Sequence, residues 1–202
     1  DEELYVSFVA GKVRNLFLNE CTSYAVSRKH TQGGAILFHK TRDNEDRPQA
    51  AFVLESSVEG INKFIAVTDA SVIGCSMMVN DQGLAGSADY PAHLTRKSDS
   101  DAARQLQPFP LPEPAEPRYR GMMSGALLRH IAERASSCGE ALAIIEDFVN
   151  RGYWAGGSVN GSHWLFVDRT GTILEVSNNA RHVVSKVHDQ KVYFSRFVDG
   201  TA

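Results

Sequence analysis

Cys21 heads the run ECTSYAVSRKHTQGGAILFHKTRDN, residues 20–44, in which an apolar segment opens on a thiol and closes on a charged cluster. A thiolate attacks carbonyl carbon, and a nucleophile at the start of a strand can offer more than its sulfur. If the peptide bond between Glu20 and Cys21 is cut, the freed α-amine belongs to the same residue. With an ordinary pKa near 8, roughly, it can take the thiol proton and later hand it to a leaving amine, so no histidine is required. Residues 1–20 would then be a propeptide, and the working chain would begin Cys-Thr-Ser-Tyr-Ala. The plainer alternative stays open: Cys21 is a buried thiol packing as a small hydrophobe, and residues 1–20 are an ordinary first strand and helix. Glu20 is not a small residue of the kind that eases self-cleavage. The other two cysteines, Cys75 and Cys138, are widely spaced and read as buried thiols; three in all is an odd number, so they give neither a disulfide framework nor a paired metal-ligand spacing.

Four stretches resemble a known group of enzymes: CTSYAV at 21–26, GAILFHKTRDN at 34–44, MVNDQGLAGSADY at 78–90 and SHWLFVDRTGTILEV at 162–176. In order and approximate spacing they are similar to the cysteine branch of the N-terminal-nucleophile (Ntn) hydrolases, the choloylglycine hydrolase and penicillin acyltransferase-like linear amide hydrolases. The resemblance covers most of the chain after residue 20. It implies an α+β fold, the four-layer αββα sandwich with two antiparallel sheets between helical layers. It also implies one Ntn-hydrolase domain over 21–202, lacking the late arginine that related hydrolases contribute from further along their chains.

Residue by residue, the resemblance carries over unevenly. Those enzymes follow the first strand with an Arg-Asn-x-Asp arrangement, in which a base lies close to the thiolate and an aspartate anchors the α-amine. This register reads Lys40-Thr41-Arg42-Asp43. Asp43 takes the anchoring place, Lys40 the arginine place, and Arg42 is a second candidate for the cation that favours the thiolate. A lysine keeps the charge but not the planar fork of donors. Where the family carries an oxyanion-hole asparagine, this chain has Ala88-Asp89-Tyr90. An ionised Asp89 repels an oxyanion, so it must be protonated, point away, or bind a cationic part of the substrate, and Tyr90 is the substitute donor. A late asparagine donor is likewise replaced within VYFSRF, leaving Ser195 and Arg196. His163-Trp164 resembles a structural signature of these enzymes and reads as sheet packing.

The elements that must position these residues follow from periodicity. Strands are expected at 21–26, around 35–39, at 50–55 (AAFVLE), 63–68 (KFIAVT) and 71–79 (SVIGCSMMV), with a turn at Asn80 to Leu84. Five of the seven prolines fall between Pro108 and Pro117, so residues 91–120 must be loop or edge, either a surface linker or a border of the pocket. Between Met122 and Asn150 the apolar period lengthens toward that of a helix, and a break at Ser136 to Gly139 divides it into two. Ser124 or Gly121 is in place to cap the first helix, while Glu140 sits in the first turn of the second, where the dipole favours negative charge. Strands return in SHWLFVD, TILEVS, HVVSKV and KVYFSRF, and read as hairpins, including one turning at His188-Asp189-Gln190.

Composition bounds the function classes. A chain of 202 residues with 43% hydrophobic and 22% charged residues is globular, and a net charge of -3 offers no broad basic surface for nucleic acid. No apolar run reaches the roughly 20 residues of a membrane helix. Zinc spacing and phosphate-binding glycine loops are both absent from the sequence, so no metal and no cofactor are expected. The first residue is Asp, which fits a removed signal peptide and hence secretion or the periplasm, a trimmed chain, or an earlier segment. Together these readings lead to a hydrolase of linear amides other than peptide bonds, working on a small-molecule substrate through a thioester acyl-enzyme and activated from a zymogen by autoproteolysis. Three alternatives stay open: an acyltransferase, a dipeptidase-like member in which Asp89 receives a substrate ammonium, and a non-catalytic binding domain that keeps the fold. Assembly as a homo-oligomer is also open.

Overall fold

The computed structural model describes residues 21–42, 48–70, 72–89, 120–155, 162–178, 182–188 and 192–196, with 21, 22, 120, 121, 154, 155 and 192–196 described as backbone. The candidate propeptide, Asp43, Tyr90 and the proline-rich stretch 91–119 lie outside these residues. Twelve strands and two α-helices make up the described chain. Their order is β1 (Cys21–Val26), β2 (Leu37–Arg42), β3 (Gln49–Leu54), β4 (Phe64–Asp69), β5 (Met77–Asn80), β6 (Ala85–Asp89), β7 (Arg120–Met122), α1 (Ser124–Arg134), α2 (Cys138–Asn150), β8 (Tyr153–Ala155), β9 (Ser162–Val167), β10 (Ile173–Asn178), β11 (Val183–His188) and β12 (Val192–Arg196).

Two antiparallel sheets dominate. One has three strands in the order β12-β1-β2, the other seven in the order β11-β10-β9-β6-β5-β4-β3; a parallel pair, β7-β8, stands apart. Alternation along the strands assigns each face of the larger sheet. On β4, Phe64, Ala66 and Thr68 are buried on one side, while Ile65, Val67 and Asp69 occupy the other. The first side, with Met78, Trp164, Phe166, Leu174 and Val176, packs against Leu127, Leu128, Ile131, Ala141 and Ile145 of the helices in the main core. The second side faces the three-stranded sheet through a smaller cluster of Ala25, Ala85, Leu165, Val167 and Ile173. Strand β9 is buried at every position because it is covered on both faces. Gly86 answers the Phe166 ring opposite it, since a Cβ there would lie 2.5 Å from the ring.

Both helices form where the period changes, Glu140 lies in the first turn of the second as expected, and only the second has a side-chain cap. Ser137 Oγ accepts the Glu140 N–H at 3.2 Å while Glu140 Oε2 accepts the Ser136 N–H at 2.5 Å, a reciprocal arrangement at the start of α2. For α1 the expected cap at Ser124 or Gly121 is corrected: the N-cap is Met123, without a side-chain bond, and Ser124 is already helical. Two strand readings are also corrected. Residues 72–76 are bends, because this backbone passes hard against the start of α1: Cys75 N–H donates to Gly125 O at 3.0 Å, and a Cβ on Gly74 would sit 2.5 Å from the Gly125 carbonyl carbon. Strands β11 and β12 form no hairpin, since β11 pairs with β10 and β12 pairs with β1 in the other sheet. The short strand β8 has no periodic signal in three residues and was not expected.

The Asn80 turn lies where the motif predicted it, with Gly83 at φ +84°. Asn80 itself does more than turn the chain. Its side-chain amide donates to Ala132 O at 3.0 Å and Ala135 O at 2.7 Å, and its oxygen accepts from Leu84 N–H at 3.0 Å, so a buried asparagine satisfies the carbonyls at the end of α1. Among the described residues no helix is long and apolar enough to cross a membrane.

Candidate active site

Strand pairing brings the sequence-derived candidates to one end of the space between the sheets. In the β1-β2 ladder Cys21 stands opposite Arg42 and Ser23 opposite Lys40. On the other side of β1, Ser23 is opposite Ser195 and Thr22 opposite Arg196. Strand β6 of the larger sheet supplies Ser87 and Asp89 from the facing layer.

Lys40 crosses the gap. Its Nζ forms an ion pair with Asp89 Oδ1 and donates to Ala88 O at 2.9 Å, both charged side chains being almost fully buried. Asp89 Oδ2 accepts the Ser23 hydroxyl at 2.7 Å. Ser23 has one proton and gives it to the carboxylate, so in the 2.8 Å contact between Ser23 Oγ and Ser87 Oγ it is Ser87 that donates. The cluster is thereby satisfied at Asp89, Lys40 and Ser23, as buried charge requires. Asp89 thus points into the layer between the sheets, with its negative charge met by an ammonium group from its own chain.

Arg42 takes a different partner. Its Nη2 lies 2.6 Å from Oδ1 of Asp69 on β4, with both side chains 8% exposed. The other terminal nitrogen, Nη1, is buried and has no hydrogen-bond partner among the described residues. A guanidinium fork with one arm anchored and one arm free is a pre-oriented donor for an oxygen or a thiolate.

His163, opposite Asp89 on β9, is buried as the sheet-packing reading expected. Its Nδ1 is 2.8 Å from Ser177 Oγ and its Nε2 3.3 Å from Glu175 Oε1, while Glu175 Oε2 is 3.0 Å from Nε2 of His188. Burial holds the His163 imidazole below its ordinary pKa despite the Glu175 and Asp89 carboxylates, and the Lys40 charge adds to the lowering. It is therefore neutral at pH 7. Burial also pushes the Cys75 thiol up to about 12, against the nearby Arg129. Cys138 is raised as well, by burial first and then by the charge of Asp168. Neither is a ready thiolate.

Sequence reasoning found Lys40, Arg42 and Asp89 but not the residues that answer them. Ser23 and Ser87 lie inside the resembling stretches but have no role assigned by them, and Asp69 lies outside those stretches. Alternation alone could have pointed to Ser23 and Ser87, each polar in a strand where an apolar residue is expected on a covered face. Among the described residues no group of three or more His, Cys, Asp and Glu side chains is arranged to hold a metal ion.

No protein-family model matches the sequence, and no curated protein matches it. Solved structures do. A cysteine-to-alanine mutant of the conjugated bile acid hydrolase from Clostridium perfringens is 15% identical, with a TM-score of 0.50 over 85% of this chain and 52% of that one. Another variant of the same hydrolase is 11% identical, with a TM-score of 0.41 over 87% of this chain and 45% of that one. Penicillin V acylase from Agrobacterium tumefaciens is 13% identical, with a TM-score of 0.41 over 88% and 44%. The chain thus spans about half the length of each. Over that half, two antiparallel sheets with helices against one of them give this chain the fold of the conjugated bile acid hydrolase.

Proposed function

We propose that this chain is a hydrolase of linear amide C–N bonds with Cys21 as nucleophile. The observation that carries this reading is the register of Cys21 against Arg42, whose buried guanidinium has one nitrogen with no hydrogen-bond partner among the described residues. In the reaction the α-amine of Cys21 takes the thiol proton and the sulfur adds to the amide carbon. The tetrahedral intermediate then collapses to a thioester as the protonated amine of the substrate departs, and water releases the acid. Asp43, one residue beyond Arg42, holds the α-amine. Arg42, not Lys40, is the cation beside the sulfur, because Lys40 is committed to Asp89. Tyr90, Ser195 and Arg196 are the donors for the oxyanion, a role that Asp89 does not share while its oxygens accept from Lys40 and Ser23. The dipeptidase-like alternative loses support for the same reason, since an internal ammonium already sits where a substrate ammonium would.

Activation by self-cleavage belongs to the same proposal. The Cys21 sulfur attacks the carbonyl carbon of Glu20, the C–N bond breaks as a thioester forms and the nitrogen takes a proton to become the free α-amine, and water then hydrolyses the thioester, releasing residues 1–20 with a Glu20 carboxylate and restoring the thiol. A fourth, helical layer outside the three-stranded sheet completes the αββα sandwich in this reading. The test is intact mass and N-terminal sequencing of the purified protein beside its Cys21→Ala variant, with an amide substrate then added to trap the acyl-enzyme. Loss of residues 1–20 from the parent only, followed by an acyl mass increment on the fragment beginning at Cys21, is the expected result. A whole and fully active parent would move the proton carrier to a histidine, and a Cys21→Ala variant within tenfold of parental activity would end the assignment.

A further inference from the structure

Among the described residues the three-stranded sheet is narrower than the sheet it faces, and it ends at β2. Beyond that edge, Ile65 and Val79 on the inner face of the larger sheet remain 52% and 45% exposed. Beneath the edge runs a cavity of about 410 Å³, walled by Ile36 and Phe38 on one side and by Ile65, Val67, Met77, Val79 and Val167 on the other, with Asp168 also in its lining. Ile65 and Val67 are successive same-face positions of one strand, and Val79, Ala85 and Val167 continue the row from Ile65 across the sheet toward Asp168, so the wall is apolar except for that carboxylate, which lies away from β4. The next residue on that face of β4 is Asp69, about 7 Å further on. Asp69 holds Arg42, so the cavity leads toward the guanidinium whose Nη1 has no acceptor among the described residues.

A hydrocarbon slot with a buried, unengaged donor beyond one end matches one kind of molecule. We propose that it binds an unbranched aliphatic acyl group, its chain lying beneath β2 and its carbonyl or carboxylate oxygen accepting from Arg42 Nη1. This rests on the hydrolase reading for the placement of the scissile amide at Cys21, and it names the acyl half of that substrate. A buried donor left without an acceptor is unfavourable, and the head-group oxygen removes that penalty. Each methylene that leaves water strengthens binding about fourfold.

The test titrates the chain beginning at residue 21 and carrying Cys21→Ala, which removes turnover and leaves no uncut residues 1–20, with N-acylglycines from acetyl to dodecanoyl, followed by calorimetry. Affinity is expected to climb about fourfold per methylene until the slot is filled. Ile65→Asp, at a half-exposed position where a charge leaves the fold intact, should flatten that climb without changing N-acetylglycine binding. Arg42→Gln should weaken every member by a similar factor, because the head group is common to all. N-phenylacetylglycine, with as many acyl carbons as the octanoyl compound, should bind more weakly than it. A flat response to chain length, an Ile65→Asp effect equal for all members, no loss with Arg42→Gln, or preference for the phenylacetyl compound would overturn the inference even if the Cys21 protein hydrolyses amides. Conversely, a chain-length climb in a protein that never hydrolyses them would keep the binding site and overturn the enzyme.

Discussion

Lys40 of the three-stranded sheet and Asp89 of the seven-stranded sheet are joined by an ion pair buried between the two layers. The pair and the Ser23-Ser87 contact beside it fix how one sheet sits on the other, and therefore where Cys21 and Arg42 stand relative to β4 and β6. A buried pair is costly to break from one side, because the remaining charge stays desolvated. Lys40→Met should destabilise the fold by about 3–5 kcal/mol, and adding Asp89→Leu should recover a large part of that loss. Urea unfolding of the two variants and the parent checks this; a double variant no more stable than Lys40→Met would show that the charge pair does not dominate that interface.

The three cysteines should respond very differently to alkylation. With Cys75 pushed up to about 12 and Cys138 raised by burial and Asp168, neither forms appreciable thiolate at neutral pH. In native protein at pH 7, iodoacetamide should label Cys21 alone, and the other two only after denaturation. Arg42→Gln should slow the labelling of Cys21 about tenfold by removing the adjacent cation. Peptide mapping of partly labelled samples reads both effects, and an unchanged rate in the variant would separate Arg42 from the thiol.

Asp43→Asn should cost about a hundredfold or more in amide hydrolysis, the usual scale for losing the orientation of a reacting group, while Asp46→Asn stays close to the parent. Initial rates on one amide substrate compare them. Equal losses would mean that the register from Lys40 to Asp43 does not correspond to the family arrangement.

Asp168 provides a pH dependence of defined sign. Burial works to raise its pKa, but the hydroxyl of Thr170 and the Cys138 and Thr170 N–H groups together hold it below its usual value. A depressed carboxyl pKa contributes stability that is present above the unfolded value, near 3.9 by the usual reference, and is lost as pH falls through the folded value. Asp168→Asn should therefore be less stable than the parent at pH 7, by about 0.5–2 kcal/mol as for other groups that satisfy a helix start. That difference should shrink as pH drops below about 4. Thermal melts at a series of pH values measure it, and a constant difference would show that the carboxylate charge is not the cause.

The parts of the fold that could be read in advance are those where one residue type repeats with one period. The paired helices, the Asn80 turn and the fully buried β9 all follow from local pattern. Partnership between distant strands does not. Nothing near β11 says that it pairs backward while β12 crosses to the other sheet, because both are short alternating segments whose partners lie far away in sequence. The site divides in the same way. Motif spacing singled out Arg42 and Lys40 but not the carboxylate each one meets, since the choice between Asp69 and Asp89 as partner is made by the facing sheet. Asn80 reads as a turn residue for the same reason, although it and Asn62 both donate to the end of α1.

The small parallel pair β7-β8 has a mechanical consequence. Strand β7 leads into α1 and β8 leaves α2, and the two are bonded in register from Arg120 with Tyr153 to Met122 with Ala155. The helical layer is thus closed by a clasp at its own base. Tension or slack arriving from the proline-rich segment before residue 120 is borne by that clasp rather than by the contacts of Leu127, Leu128 and Ile145 with the sheet. Insertions and deletions in that segment are thereby insulated from the core.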